Sequence, residues 1–324
     1  MRYIVYGAGA IGGLTGALLS AAGHEVVLIA RGAHAEAIDR YGLAIESADG
    51  SRTVSLPVVT DPAKAYIGVG DIVLLGVKSQ DTKGALDALR QVASVQTPVA
   101  CLQNGVANER AALRLFRHVY GVCVMCPATH LEPGVVRQHS IPVPGLLDVG
   151  RYPVGTDATV TSISTAFRAA GFESIERTEV MRWKYRKLLT NVGNAAHALF
   201  QPNQASEIVK RATWEGEECL RAARINFASE GDDRERRADI LQIKRIPGMP
   251  FEGGSSWQSL KRQSGSIESD FLNGEIILLG RLYGVATPVN DLLRDLAWKA
   301  AARREPPGTL SAENFESMLG ATIG

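Results

Sequence analysis

The stretch "RYIVYGAGAIGGLTGALLSAAG" at residues 2–23 constrains this chain most. A short apolar run leads straight into Gly7-Ala8-Gly9-Ala10-Ile11-Gly12, and an amphipathic run continues to about residue 22. GxGxxG placed after a strand and at the opening of a helix has a physical meaning. The first glycine permits the tight turn, the second lets a pyrophosphate approach the backbone, and the third lets helix and strand pack closely; the helix N-terminus adds amide donors. Gly7, Gly9, Ala10, Ile11 and Gly12 are therefore candidate cofactor contacts. A leading arginine and an apolar stretch superficially resemble a signal peptide, but the glycines and the amphipathic continuation fit strand, turn and helix better. The run "EVVLIA" at 25–30 completes a βαβ unit. Its tip discriminates between cofactors: an acidic residue binds the ribose 2′-hydroxyl, whereas an arginine accepts a 2′-phosphate. Here the tip carries Arg31 and no carboxylate, so NADPH is expected in preference to NADH.

The alternation continues. "DIVLLGV" at 71–77 and "PVACL" at 98–102 read as strands, with helices near 80–93, 107–117 and 157–170 and a further strand near 172–176. "GLAIE" and "TVSLPVV", separated by "ADGS", read as a hairpin insertion. An open, mostly parallel, doubly wound α/β sheet of Rossmann type follows. From about 179 to 303 the pattern is helical, with breaks at "IPGMPFEGGSS" and "QSGS", and with Thr287 as the expected cap of a last helix that has Pro288 in its first turn. At 324 residues the chain exceeds what one hydrophobic core usually fills. The expected domains are 1–178, dinucleotide-binding; 179–303, all-α; and 304–324, a terminal segment set off by "REPPG", either a short helix or a loose tail.

Charge and cysteine content exclude some classes. Thirty-five basic against thirty-four acidic residues leave no global field for nucleic acid or an anionic membrane. No uninterrupted run of about eighteen apolar residues suggests a membrane span. Cys101, Cys123, Cys126 and Cys219 are too few for a disulfide framework, so a reducing cytoplasm is the simpler expectation. Cys123-x-x-Cys126 near His130 invites a zinc or redox reading. The pair lies in a strand-like run with no second CxxC, so buried structural thiols and no metal are expected.

Two strands end in polar groups: Lys78 and Ser79 follow one, and Gln103, Asn104 and Gly105 the other. Ligands of open α/β sheets bind outside the carboxyl ends of strands, where these residues belong. In "RWKYRKLLTNVGN", Lys184, Lys187, Asn191 and Asn194 fall at steps of three, four and three and line one helical stripe. Such a stripe amid apolar residues must be solvated, paired or directed into a cleft. "FEGGSSWQSL" sets two glycines and two serines before a helix, which makes a small anion site with a capping hydroxyl or an ordinary N-cap. "GSIESDFLNGEIILLGRLYGV" opens a helix with Glu268 in its first turn, where a carboxylate is favourable with the helix dipole.

GAGAIG, the strand ending in Lys78, "QNG" at 103–105, "KLLTN", Ser256, Glu268 followed by "LNG", and "GVATPVN" occur in one order from residue 3 to about 300, and together they resemble the ketopantoate reductase (2-dehydropantoate 2-reductase) family. The resemblance implies a Rossmann domain joined to a helical domain like that of 6-phosphogluconate dehydrogenase. It also implies Lys187 as the catalytic lysine, Glu268 as partner of the substrate hydroxyl, Lys78 and Asn104 positioning nicotinamide and substrate, and Asn191 and Ser256 in the substrate pocket. Lys187 and Asn191 would face the interdomain cleft, while Lys184 and Asn194 are expected as solvated or capping neighbours and Trp183 as a packing residue. The chain departs from the family at Ala195, where a second asparagine is usual and Asn194 stands one place earlier. It departs again at "SWQSL", with Trp257 and Leu260 replacing the methionine and aspartate of "SMLQD". The expected function is NADPH-dependent reduction of a small 2-oxo acid, with ketopantoate to pantoate as the leading case. The alternatives are another 2-oxo or 2-hydroxy acid on the same scaffold, or a non-catalytic NADPH-sensing protein. The expected partner is the small-molecule substrate, with a homodimer left open.

Overall fold

The computed structural model describes residues 1–201, 203–249 and 253–323. Its contacts divide the chain into two compact units, Met1–Gln103 with Ala107–Lys184 and Gly231–Pro250, and Asn104–Val106 with Tyr185–Glu230 and Phe251–Gly324.

The first unit begins with β1 (Arg2–Tyr6), α1 (Ala10–Ala21), β2 (Glu25–Ile29), α2 (Gly32–Tyr41), the hairpin β3 (Leu43–Ser47) and β4 (Gly50–Val54), and the short β5 (Val58–Val59). It continues with β6 (Ile72–Leu75), α3 (Thr82–Leu89), β7 (Val99–Cys101), α4 (Asn108–Leu113), β8 (Val119–Met125), β9 (Ala128–Thr129), β10 (Val135–Gln138), β11 (Ser140–Pro142), β12 (Leu146–Arg151) and α5 (Ala158–Ala169). Seven strands form one sheet in the order β12-β8-β7-β6-β1-β2-β5, parallel except where β12 runs against β8. Side chains of β1 alternate across it: Tyr3 and Val5 join one apolar cluster and Ile4 the other, as the two-residue period of a strand requires. Strand order reverses between β1 and β6, which defines a switch point. The register pairs Tyr6 with Ile29, Tyr6 with Leu75 and Leu75 with Cys101, so four strands end level and the loops carrying Gly7, Arg31, Lys78 and Gln103 leave from one edge.

One expected strand fails here, and one helix, α2, stands where the sequence reading named no element. Residues 172–176 make only two isolated bridges, at Glu173 and Glu176, because the Ile175 amide donates to the Asp148 carboxylate and not to a neighbouring strand. The helix α2 follows Arg31 directly and ends at Gly42, whose φ of 79° takes the chain out of it.

The helix α6 (Val180–Asn191) spans the boundary between units, and a turn at Val192 separates it from α7 (Gly193–Leu199). The second unit also holds α8 (Ser206–Ala222). The next two elements, α9 (Glu230–Arg237) and β13 (Leu241–Ile243), lie in the half expected to be all helix, yet they belong almost wholly to the first unit. Their anchors explain this: β13 pairs antiparallel with β11, and Arg236 makes a two-pronged bond to the buried Asp148 at 2.7 and 3.0 Å. The rest of the second unit is α10 (Ser255–Lys261), α11 (Asn273–Tyr283), α12 (Pro288–Ala302) and α13 (Ala312–Ile323). Thr287 is the N-cap residue of α12, but its hydroxyl donates to Asp291. The capping acceptor is the buried carboxylate of Glu215, which takes the amides of Val289 at 2.9 Å and Asn290 at 3.0 Å. Residues 304–324 hold a packed helix, with Phe315 fully buried and edge-on to Phe200 at 5.5 Å. No helix among the described residues is long and apolar enough to cross a membrane.

Candidate active site

In the first unit the glycine turn has the shape that its sequence requires. Gly7 adopts φ 104°, and a Cβ there would sit 2.6 Å from the Val77 amide nitrogen, so only glycine lets β1 and the β6 loop lie side by side. Gly9 is the N-cap of α1, with no side-chain cap and no acidic residue in the first turn; a Cβ at Gly9 would meet nothing within 4 Å. An uncapped helix N-terminus beside open space fits a pyrophosphate. Arg31 is exposed at the start of α2, 3.9 Å from Asp81. A long, exposed pair of this kind contributes little, which leaves the guanidinium available to a phosphate.

Lys78 follows β6 and precedes a 3-10 turn at Ser79–Asp81. A buried chain of side chains ties this loop to the end of β7: Asn108 donates to Ser79, Thr82 donates to Asn108 at 2.8 Å, and Gln103 donates to Thr82 at 2.8 Å and to the Val77 carbonyl at 2.7 Å. The loops that the sequence singled out at 78–79 and 103 are thus joined.

Lys184 is not the solvated neighbour expected from the stripe. Its ammonium lies 2.6 Å from Glu109, with the two side chains 2% and 0% exposed, and donates to the carbonyls of Gln103 at 2.9 Å and Val122 at 3.2 Å. A lysine can be buried this completely only with such partners. Trp183 packs as expected, with the Arg177 guanidinium 3.9 Å from its ring centre.

The second unit holds the remaining candidates. Lys187 is half-buried on α6, one turn beyond Lys184, and Asn191 is buried at the helix end with its Nδ2 unpartnered. Of "FEGGSSWQSL", Phe251 and Glu252 lie outside the described residues. Gly254, and neither serine, is the N-cap of α10, so no hydroxyl caps it. Ser255 and Ser256 sit inside its first turn, and each buried Oγ lacks a partner. The helix α10 packs on α7, and Asn194 Oδ1 lies 3.7 Å from where a Gly254 Cβ would be. Glu268 is 7% exposed and opens a 3-10 turn, Glu268–Phe271, not the expected α-helix; α11 starts only at Asn273, whose buried amide donates to the Val192 carbonyl and to Asn290. Asn104 groups with this unit: next to it, Gly105 approaches the end of the Glu268 turn, where a Cβ would be 3.2 Å from the Phe271 carbonyl oxygen. At the departures from the family pattern, Ala195 and Leu260 are buried, and Trp257 lies against Gly253.

Cys101, Cys123 and Cys219 are buried and Cys126 is half-buried, and none of the four is in a disulfide. Among the described residues no group of His, Cys, Asp or Glu is arranged to hold a metal ion. Sequence reasoning passed over two polar sites, Glu109 and His34. Glu109 reads as a first-turn acid of α4, and its role needs a lysine 75 positions away. His34 lies on α2, where "GAHAEAIDRYG" offers a helix-forming run stopped by glycine.

Comparison with known proteins shows the family and the fold. The family model for "Ketopantoate reductase PanE/ApbA" matches residues 3–153, and that for its C-terminal domain matches residues 179–300. The 2-dehydropantoate 2-reductase of Halobacterium salinarum is 31% identical, over 91% of this chain and 97% of the relative. That of Pyrococcus horikoshii is 29% identical, over 95% and 99%. Among solved structures, a PanE/ApbA family ketopantoate reductase from Ralstonia eutropha superposes with TM-score 0.78 at 28% identity, covering 94% of this chain and 99% of that one. D-mandelate dehydrogenase with NADH and anilino(oxo)acetate reaches the same TM-score at 22% identity, over the same shares, a likeness of fold alone.

Proposed function

The chain belongs to the ketopantoate reductase family, and from that premise we propose that it reduces 2-dehydropantoate (ketopantoate) to pantoate with NADPH. The family is one of pyridine-nucleotide-dependent reductases; the choice of NADPH rests on Arg31 at the tip of β2. One observation carries the substrate half of the reading. Asn191 and Ser256 are each at least nine-tenths buried, and each keeps a polar atom with no partner in the protein. A buried donor left unmade costs about 1–3 kcal/mol, so such atoms are explained by a ligand that completes them.

When bound, the reduced nicotinamide supplies a hydride to the carbonyl carbon. Lys187 donates a hydrogen bond to the carbonyl oxygen, draws electron density from the carbon, and gives up the proton that completes the alcohol, directly or through water. The Asn191 amide and the Ser256 hydroxyl hold substrate oxygens, the carboxylate of the acid being the natural acceptor. Glu268 accepts the hydrogen bond of the terminal hydroxyl of ketopantoate. Lys78 and Asn104 orient nicotinamide and substrate, and Gly7, Gly9, Ala10, Ile11 and Gly12 form the turn over which the pyrophosphate lies. A homodimer in the cytoplasm is part of the same reading, and sedimentation velocity tests the oligomer.

A second reading, reduction of a different 2-oxo acid, is favoured by the buried Ala195 where an asparagine is usual. NADPH oxidation with ketopantoate, pyruvate, 2-oxoisovalerate and benzoylformate separates them. Ketopantoate should have the highest kcat/KM. A higher value for another acid transfers the assignment to it, and no turnover with any acid favours a non-catalytic NADPH sensor.

A further inference from the structure

The His34 ring is held on three sides within the first unit. Its Nδ1 accepts the Gly134 amide at 2.9 Å, and its Nε2 lies 2.7 Å from the Ala8 carbonyl oxygen. An imidazole nitrogen that accepts from an amide carries no proton, so the proton is on Nε2, which donates to Ala8. On the third side His130 stacks against the ring, centroids 4.0 Å apart and planes 41° apart, with its own Nδ1 fixed 3.0 Å from the Val135 carbonyl.

Ala8 stands between the first two glycines of GAGAIG. A trans peptide unit carries its C=O and N–H on opposite sides, so holding the Ala8 carbonyl sets the direction of the Gly9 amide. Gly9 is the uncapped N-terminus of α1 with open space over its Cα. We propose that His34 is a positioning residue for dinucleotide binding: its neutral, Nε2-protonated ring fixes the Ala8–Gly9 peptide and thereby presents the first amides of α1 to the pyrophosphate. Burial holds the imidazole below its ordinary pKa and so favours the neutral form, which Nδ1 needs in order to accept the Gly134 amide while Nε2 donates to Ala8. The inference rests on the dinucleotide reading above and extends it to a residue that acts only through Ala8.

Asparagine and glutamine separate the two bonds. His34→Asn keeps an acceptor near the Nδ1 position for Gly134 and removes the donor to Ala8; His34→Gln reaches as far as Nε2 and keeps that donor. Dissociation constants for ADP-ribose, NADH and NADPH are measured by calorimetry on wild type and both variants, with thermal melts on the same samples. The expected result is that His34→Asn weakens all three ligands by a common factor, about two- to ten-fold for one hydrogen bond, and that His34→Gln recovers most of it. A common factor places the effect on the ADP-ribose moiety they share, which contains the pyrophosphate, whereas Arg31→Ala should weaken NADPH alone. Equal melting losses in the two variants with unchanged dissociation constants would make His34 a packing residue and overturn the proposal. Failure of wild type to bind ADP-ribose would instead overturn the dinucleotide reading, and the proposal with it.

Discussion

Removing the Lys184 side chain distinguishes a structural lysine from Lys187, the proposed proton donor three residues away. In Lys184→Ala the Glu109 carboxylate, with a side chain 0% exposed, loses the ammonium 2.6 Å away, and the carbonyls of Gln103 and Val122 lose a charged donor. Breaking a buried ion pair by deleting one partner costs about 3–5 kcal/mol, because the remaining charge stays uncompensated. An exposed lysine at the same position would cost less than about 1 kcal/mol. For a domain of this size the larger figure lowers Tm by roughly 10 °C. The assay is a thermal melt followed by circular dichroism, with a urea melt for the free energy. The pair Lys184→Met/Glu109→Leu should recover most of the loss, since apolar replacements of similar volume remove the stranded charge along with its partner. A Lys184→Ala protein within about 1 kcal/mol of wild type would show that the lysine is solvated and the helix register wrong.

Three further outcomes follow from the same geometry. Arg31→Ala should weaken NADPH roughly ten- to a hundred-fold, the contribution of one charge-assisted bond to phosphate, and leave NADH nearly unchanged; equal wild-type dissociation constants for the two cofactors would refute the assignment. Glu268→Ala should lower kcat/KM on ketopantoate far more than on its analogue without the terminal hydroxyl, and a ratio between the two substrates that matches wild type would remove Glu268 from hydroxyl recognition. His34 should titrate below the ordinary histidine pKa when its ring protons are followed by NMR, because burial disfavours the imidazolium. With the folded pKa depressed, its stabilising contribution is present above the unfolded value and is lost as pH falls through the folded one; a His34 titration above the ordinary value would contradict this.

Much of the fold was legible because it depends on local pattern. The GAGAIG turn, the strands β1, β2, β6 and β7 with the helices α1 and α3, and the hairpin at β3 and β4 follow from glycine placement and apolar periodicity. What the sequence hid depends on partners far along the chain. β13 is a three-residue strand whose existence rests on pairing with β11, about a hundred positions earlier. Lys184 and Lys187 look alike in the helical stripe, and it is the distant partners of Lys184, the Glu109 carboxylate and the carbonyls of Gln103 and Val122, that mark it as buried. The break between Glu268 and α11 is set by Asn273, which spends its amide on the Val192 carbonyl and Asn290. On the first unit the candidate residues emerge level because the strand register aligns Tyr6, Ile29, Leu75 and Cys101, an alignment that no single segment encodes.

The central claim is that Lys187 gives the carbonyl oxygen its proton during reduction of a 2-oxo acid by NADPH. It is tested most directly by the rate of NADPH oxidation at saturating ketopantoate in Lys187→Ala beside wild type, with the NADPH dissociation constant measured on the same samples. Loss of a general acid removes about 10²–10⁴-fold in rate. The account predicts a fall in that range with NADPH binding and Tm nearly unchanged. A variant that keeps more than about a tenth of the wild-type rate, below the span expected of a general acid, would contradict it.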